Sequence, residues 1–246
     1  MYNSEADYLA HYDPHSYDLP LVSVDVAIFT LLDNKLHVLL VERGDFPHKG
    51  RWSIPGGFID QTVDKDLHAT ALRKLHEKTG VKVPHLEQVA SVGSGQRDPR
   101  GWSVTVLYMA LIPYAPTAEF VANVADARWW PYEAAVKQNL AFDHRELIGQ
   151  ARTRLRNKAA YTALPVHVLN APFTLTQLQQ AFEELMNKSL EKKSFRRRIL
   201  AADLLEEVGE GLPEGGRGRI AALYRPRKGS EAHAFVRVFG GTTDEG

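Results

Sequence analysis

The chain of 246 residues contains no cysteine. A disulfide framework, a thiolate metal site and a cysteine nucleophile are therefore excluded, and the absence accords with a reducing cytoplasm. Long apolar runs are missing as well. The longest, Val26–Leu32, is strand-sized and far below the roughly 18–20 residues that cross a bilayer, so no membrane partner is expected. The opening stretch MYNSEADYLAHYDPHSYDLP lacks the basic start and apolar middle of a secretory signal and is read as an arm over residues 1–20. No block of 20–50 residues repeats, which excludes solenoids and propellers. Net charge is absent too, with 30 Lys and Arg against 30 Asp and Glu.

That zero conceals a division. Residues 1–151 carry 14 basic and 19 acidic residues, whereas residues 152–228 carry 15 basic and 8 acidic ones. A chain sorted in this way reads as two parts, the second of them seeking anions.

The first part has mixed α/β character. Val22–Leu32 and Leu36–Arg43 are β-branched or alternating, and Asp33-Asn34-Lys35 between them is turn chemistry, which predicts a hairpin. Asp66–Thr79 predicts a helix with Leu67, Ala71 and Leu75 on one face, and Gly80 as its stop. Gln88–Val92, Trp102–Ile112 and Ala127–Pro131 read as strands, and Phe142–Ala159 as a long helix in which Asp143 can cap the start.

After a boundary near Tyr161–Pro165, Phe173–Met186 predicts a helix capped by Thr174 or Thr176, with Leu175, Leu178, Ala181, Phe182 and Leu185 as its apolar stripe. Lys193–Val208 predicts a second helix with Phe195, Ile199, Ala202 and Leu205 inward. Leu212–Arg219 is Gly-rich, and Ile220–Tyr224 and Ala234–Phe239 read as two strands around the basic turn Arg225-Pro226-Arg227-Lys228. In outline this is a winged helix-turn-helix.

The segment GGFIDQTVDKDLHATALRKLHEKTGV, Gly56–Val81, resembles the Nudix box. In that family three glutamates on one helix hold Mg²⁺, which activates water against a nucleotide diphosphate. Residues at i, i+3 and i+4 share a helix face, so carboxylates so placed can grip a hard cation. Aligned from Gly80, Arg73 meets the box arginine, and Leu75 and Val81 meet its aliphatic positions. The glutamate positions become Lys74, Glu77 and Lys78, and the leading one becomes Lys65, or Val63 if counted from Gly57. An ammonium donates hydrogen bonds and accepts none, so two lysines oppose a metal at this place. The expectation is a Nudix-shaped pocket with no catalytic residue and no metal, unless Asp60, Asp64, Asp66 or Asp98 rebuilds a site with Glu77.

Such a pocket can still bind. Gly56 and Gly57 admit a ligand to the backbone. The loop Arg97-Asp98-Pro99-Arg100-Gly101-Trp102 offers two guanidinium groups for phosphate. Trp52, Phe58 and Phe142 are candidates for base or ribose contact, and Arg73 completes the candidate set. His144 is read as structural. In the second part, Lys192, Lys193, Ser194, Arg196, Arg197 and Arg198 open the helix that enters the DNA major groove in such motifs. Arg can read guanine edges, Lys and Ser can hold phosphates, and Arg219, Arg225 and Arg227 suit a wing on the DNA backbone.

Taken together with QRDPRG, AFDH, Tyr161-Thr162 and FTLTQLQQAFEELMNKSLEKKSFRRRIL, the chain resembles the Nudix-related transcriptional regulators of NAD metabolism, the NrtR type. The resemblance implies an α/β (α+β) protein with a mixed-sheet α/β/α sandwich over 21–160 and a winged helix-turn-helix over 161–240. It implies a cytoplasmic homodimeric repressor without a cofactor, binding palindromic double-stranded operator DNA and sensing ADP-ribose or a related nucleotide. The competing reading is an active Mg²⁺-dependent Nudix pyrophosphatase acting on ADP-ribose. A third is a nucleotide-binding scaffold that recruits an acidic protein.

Overall fold

A computed structural model describes residues 2–79, 85–115, 124–211, 220–230 and 233–240. A short helix, α1 (Glu5–His11), precedes two long strands, β1 (Leu21–Leu32) and β2 (Lys35–Arg43). Asp33 and Asn34 join the strands with φ of 51° and 57°. Two consecutive left-handed residues make a turn whose twist matches that of the strands, and Asn and Asp tolerate this backbone better than other non-glycine residues. The hairpin thus forms where its turn chemistry predicts it, with Leu32 opposite Lys35 and Phe29 opposite Val38.

Next come β3 (Trp52–Ser53), β4 (Gly56–Phe58), α2 (Leu67–Thr79), β5 (His85–Ser94), β6 (Ser103–Leu111), β7 (Val124–Pro131), the single turn α3 (Tyr132–Ala135) and the long α4 (His144–Ala159). The sheet runs β3-β2-β1-β6-β5, with β4 on β1 and β7 on β2. β1 and β6 pair parallel, whereas β1 and β2 pair antiparallel, so the sheet is mixed.

Alternation along β1 sorts its side chains between two cores. Val24, Val26 and Ile28 meet Ala71 and Leu75 of α2 on one face. Ala27, Phe29 and Leu31 share the other face with Leu147, Ile148, Ala151 and Leu155 of α4. A helix on each face of one sheet is the expected α/β/α sandwich. One correction concerns Phe142, whose φ of 52° places it outside α4, which begins at His144.

The remainder builds β8 (Phe173–Thr174), α5 (Leu175–Met186), α6 (Lys192–Ala201), β9 (Leu205–Gly211) and β10 (Ala221–Pro226). Thr174 caps α5 in a capping box with Gln177. Glu191 caps α6, its carboxylate accepting from the N–H groups of Lys193 and Ser194. That negative charge offsets the unfavourable meeting of a basic helix start with the positive end of the helix dipole. The three short strands form a sheet in the order β8-β10-β9, which with α5 and α6 completes a winged helix.

Two expectations for this part are corrected. The helix predicted over Lys193–Val208 ends at Ala201, because Asp203 turns left-handed at φ 51° and Leu205–Gly211 then pairs with β10. Ala234–Phe239 is not a wing strand. Ala234 makes an isolated bridge to Thr162, while Phe239 stacks on Phe182 and Phe195. The wing is therefore β9–β10. Arg225 and Arg227 stand at its base rather than its tip. Gly80, Val81, Arg219 and the side chain of Lys78 lie outside the described residues.

The two parts share one apolar cluster that runs from Phe29 and Leu40 through Leu155 and Ala159 to Leu178, Phe182 and Ile199. Arg152 of α4 donates to the carbonyls of Leu185 and Glu184, at 2.6 and 3.3 Å, in the last turn of α5. The Glu184 carboxylate in turn accepts from the Leu36 N–H at 2.9 Å. No helix among the described residues is long and apolar enough to cross a membrane.

Candidate functional site

A cavity of about 660 Å³ opens at one end of the sheet, lined from β1, β2, β4, α2, the loop between β5 and β6, and the start of α4. Its floor is built from buried polar groups. Asp25 accepts from the Thr105 hydroxyl at 2.7 Å and lies 3.6 Å from Arg97 Nη2 and 3.8 Å from His144 Nε2. The Ile54 N–H donates to His144 Nδ1 at 3.1 Å, so the ring proton sits on Nε2, facing Asp25. Burial pushes the His144 pKa down, leaving a neutral imidazole that pins β3 to α4. A structural role for this histidine is what its position supports.

Glycine is required at the rim. A Cβ on Gly56 would stand 2.0 Å from Asp25 Oδ1, and one on Gly57 would stand 3.1 Å from Lys74 Cε. These two positions let the backbone approach the carboxylate and let the lysine reach the cavity.

The upper wall is cationic and aromatic. Arg100 forks onto Asp98, with contacts of 3.0 and 2.7 Å, and lies 4.8 Å from the centre of the Phe58 ring. That fork holds the Asp98 carboxyl below its ordinary range and raises the Arg100 guanidinium. Arg43 stands 4.8 Å over the Phe142 ring and donates to the Pro47 carbonyl at 2.8 Å. Among the described residues no carboxylate pairs with it. Burial, then the neighbouring Arg100, push its pKa down, so the charge is held at a cost that an anion would relieve. Phe142 points its ring between Arg43 and His48 from a left-handed backbone. A non-glycine residue held there is strained, and such strain gathers at binding sites.

Gly56, Gly57, Phe58, Arg97, Asp98, Arg100 and Phe142 all line this cavity. Trp52 and Arg73 do not. The Trp52 ring packs edge-on against Trp130, and Arg73 is clamped by Asp64, at 2.7 and 2.5 Å, and by Glu77 at 2.9 Å. Arg97 lines the cavity but is almost fully engaged, with Asp143 as its main partner. Asp143 is thereby diverted from capping α4, for which it makes no side-chain bond. Sequence reasoning missed Arg43, Glu42 and Asp45, which end β2 and start the following loop. The one signal available was the location of Arg43 at the last residue of a strand, where chemistry tends to gather.

At the box itself, Lys74 lines the cavity and Glu77 lies 3.5 Å from its Nζ. Asp64 holds Arg73, Asp60 accepts from Thr62, Asp66 caps α2 through the Ala69 N–H, and Asp98 holds Arg100. Each acid that could rebuild a metal site is thus committed elsewhere. No group of three His, Asp or Glu side chains converges among the described residues.

The second face is α6. Lys192, Lys193 and Arg197 are exposed, whereas Ser194 and Arg196 are half-buried, Arg196 donating to Thr176 at 3.1 Å. Arg198 turns inward, its guanidinium 3.8 Å from the centre of the Phe239 ring. Arg225 pairs with Glu206 at 2.9 Å, and Arg227 with Asp203 at 3.3 Å. On α6 the exposed cations Lys192, Lys193 and Arg197 lie on the outer side of the helix start.

A Nudix-type sandwich with a cation-lined cavity, joined through a shared core to a winged helix with a basic reading helix, defines a ligand-sensing DNA-binding protein. The NUDIX domain family matches residues 22–150, and the NrtR DNA-binding winged helix domain matches residues 165–225. The chain is 46% identical to the "ADPR responsive transcriptional repressor NtrR" of Acinetobacter baylyi over 91% of its length and 89% of the relative's. It superposes with a TM-score of 0.81, at 46% identity, on Shewanella oneidensis NrtR complexed with a 27mer DNA, covering 88% of this chain and 98% of that one. The NUDIX domain of that NrtR complexed with ADP ribose gives 0.59 at 51% identity, covering 62% and 99%. The chain belongs to the NrtR family of Nudix-related transcriptional regulators.

The Nudix fold of hydrolytic members implies a divalent cation at the box. The donor set here does not fit one: an ammonium stands at a ligand position with its Nζ close against Gly57 and Glu77. No step through a metal is therefore derived.

Proposed function

We propose that this protein is a homodimeric transcriptional repressor of NAD metabolism genes. It binds palindromic operator DNA through its winged helices, at 161–240, and senses ADP-ribose or a related nucleotide in the Nudix-fold cavity, at 21–160, without hydrolysing it. The observation that carries the receptor half is Lys74 at the box, beside a cavity wall of Arg43, Arg100, Phe58 and Phe142. Cations suit a diphosphate and rings suit a base. Relatives named for ADP-ribose response and DNA complexes support the same reading.

Lys192, Lys193 and Arg197 are the residues of α6 placed to meet DNA, with Ser194 and Arg196 beside them. An effector acts by favouring one arrangement of the two winged helices over another, since half-sites on DNA fix their spacing. The test is a mobility shift on the promoter DNA flanking the gene, with ADP-ribose, with NAD and without nucleotide. A shift altered by one nucleotide supports the proposal, and indifference to both removes the sensor.

A further inference from the structure

We infer that Lys74 is the resident cation of the cavity, standing in for the divalent metal of hydrolytic Nudix proteins and binding the ligand's diphosphate directly. The inference rests on the reading of the cavity as the nucleotide site.

Lys74 is on the inner side of α2, with only 17% of its side chain exposed. Its stem and ammonium lie against Gly57, where a Cβ would be 3.1 Å from Cε and 3.2 Å from Nζ. Any other residue at Gly57 would be strained at its φ of 152° and would crowd the end of the lysine. The contact with Glu77 Oε2, at 3.5 Å, is long, and the other oxygen of Glu77 accepts from Arg73 at 2.9 Å. Arg73 is anchored in turn by Asp64. Asp64 and Glu77 thus share one guanidinium and Lys74 balances the charge that remains, but its contact with Glu77 is long and single, so with three donor hydrogens it keeps donor capacity facing the cavity. An ammonium is a compact point charge suited to phosphate oxygens. A fixed cation at this place makes a divalent ion redundant for binding and repels one that approaches. Ligand recognition by this chain is therefore independent of Mg²⁺.

The test is calorimetric titration of the full chain with ADP-ribose, in EDTA and in Mg²⁺. The wild-type chain is expected to bind within about twofold in the two buffers. Lys74→Met is expected to bind about 10–100-fold more weakly in EDTA, in line with the loss of one charged hydrogen bond, while Lys74→Arg stays within several-fold of wild type. Thermal melting of each variant reports folding. The wild-type comparison of EDTA with Mg²⁺ needs no variant. Binding that requires Mg²⁺, or a folded Lys74→Met with wild-type affinity, would overturn the inference while leaving the cavity as the nucleotide site. A wild-type chain that binds ADP-ribose in neither buffer would overturn that reading as well.

Discussion

Arg97 donates two hydrogen bonds to Asp143, from Nε at 2.9 Å and from Nη2 at 3.0 Å. The pair fastens the loop between β5 and β6 to the residue just before α4, and the same guanidinium faces Asp25 at 3.6 Å. The side chains involved are 7%, 20% and 8% exposed. Removing the cation strands two carboxylates away from water, and breaking a buried pair in this way costs roughly 3–5 kcal/mol. Arg97→Met should therefore lower stability at pH 7 by about 3 kcal/mol in urea unfolding. Arg97→Lys should lose less, since it keeps the charge but not the fork.

A second expectation concerns how the cavity speaks to the DNA-binding part. α4 carries the cavity residue His144 at one end, and Arg152 further along it holds the last carbonyls of α5. On the proposed function, that grip is the route by which a change at the start of α4 is expected to reach α5. Arg152→Met should leave nucleotide affinity within about twofold but shrink the nucleotide's effect on operator affinity, from the roughly 5–150-fold usual for coupled sites towards unity. Operator anisotropy with and without ADP-ribose measures the ratio. An undiminished ratio would place the coupling elsewhere.

The same geometry shows what could be read from the chain in advance. The hairpin was legible because Asp33 and Asn34 advertise the turn, and both α2 and α5 because their stripes fall on one face and Gln177 stands where a capping box needs it. β9 was not, because Leu205, Glu206 and Glu207 continue a helical pattern and only the ladder with β10 decides otherwise. In the site, the glycines and the loop arginines were legible as types. Arg43 was not, since tertiary packing alone aims it into the cavity, and Phe142 was legible as a ring for the site but not as a left-handed residue outside the helix. Arg73 was drawn into the candidate set by the box pattern, but Asp64, a distant partner across nine residues, takes it out of the cavity.

On the proposed function, the basic residues of α6 divide into DNA contacts and structural struts. Lys193→Ala and Arg197→Ala should each weaken operator binding and reduce the steepness of its salt dependence by about one unit, as the loss of a phosphate contact does. Arg198→Ala should instead act on stability, lowering it by about 1–2 kcal/mol through loss of its cation–π contact with Phe239. Chemical unfolding beside salt-titrated anisotropy distinguishes the two effects.

Glu87 on β5 is clasped by His85, Arg154 and Lys158. Burial would raise its carboxyl, but hydrogen bonds from His85, Lys158 and Arg154 outweigh burial and lower it from 4.5 to about 2. A carboxyl depressed in the folded state stabilises fully above its unfolded pKa, and the contribution drains away as pH falls through the folded value. The advantage of wild type over Glu87→Gln should thus be full at pH 7, on the order of a few kcal/mol, and should vanish between about pH 4.5 and pH 2. A gap that is constant with pH, in urea unfolding at pH 7, 4 and 3, would contradict the assignment.

Recovery of the nucleotide decides whether a cation-occupied Nudix box makes a receptor. ADP-ribose incubated with a stoichiometric amount of the protein in Mg²⁺ is separated by chromatography. The nucleotide should return intact after binding. Progressive release of AMP, abolished by Glu77→Gln, would contradict it.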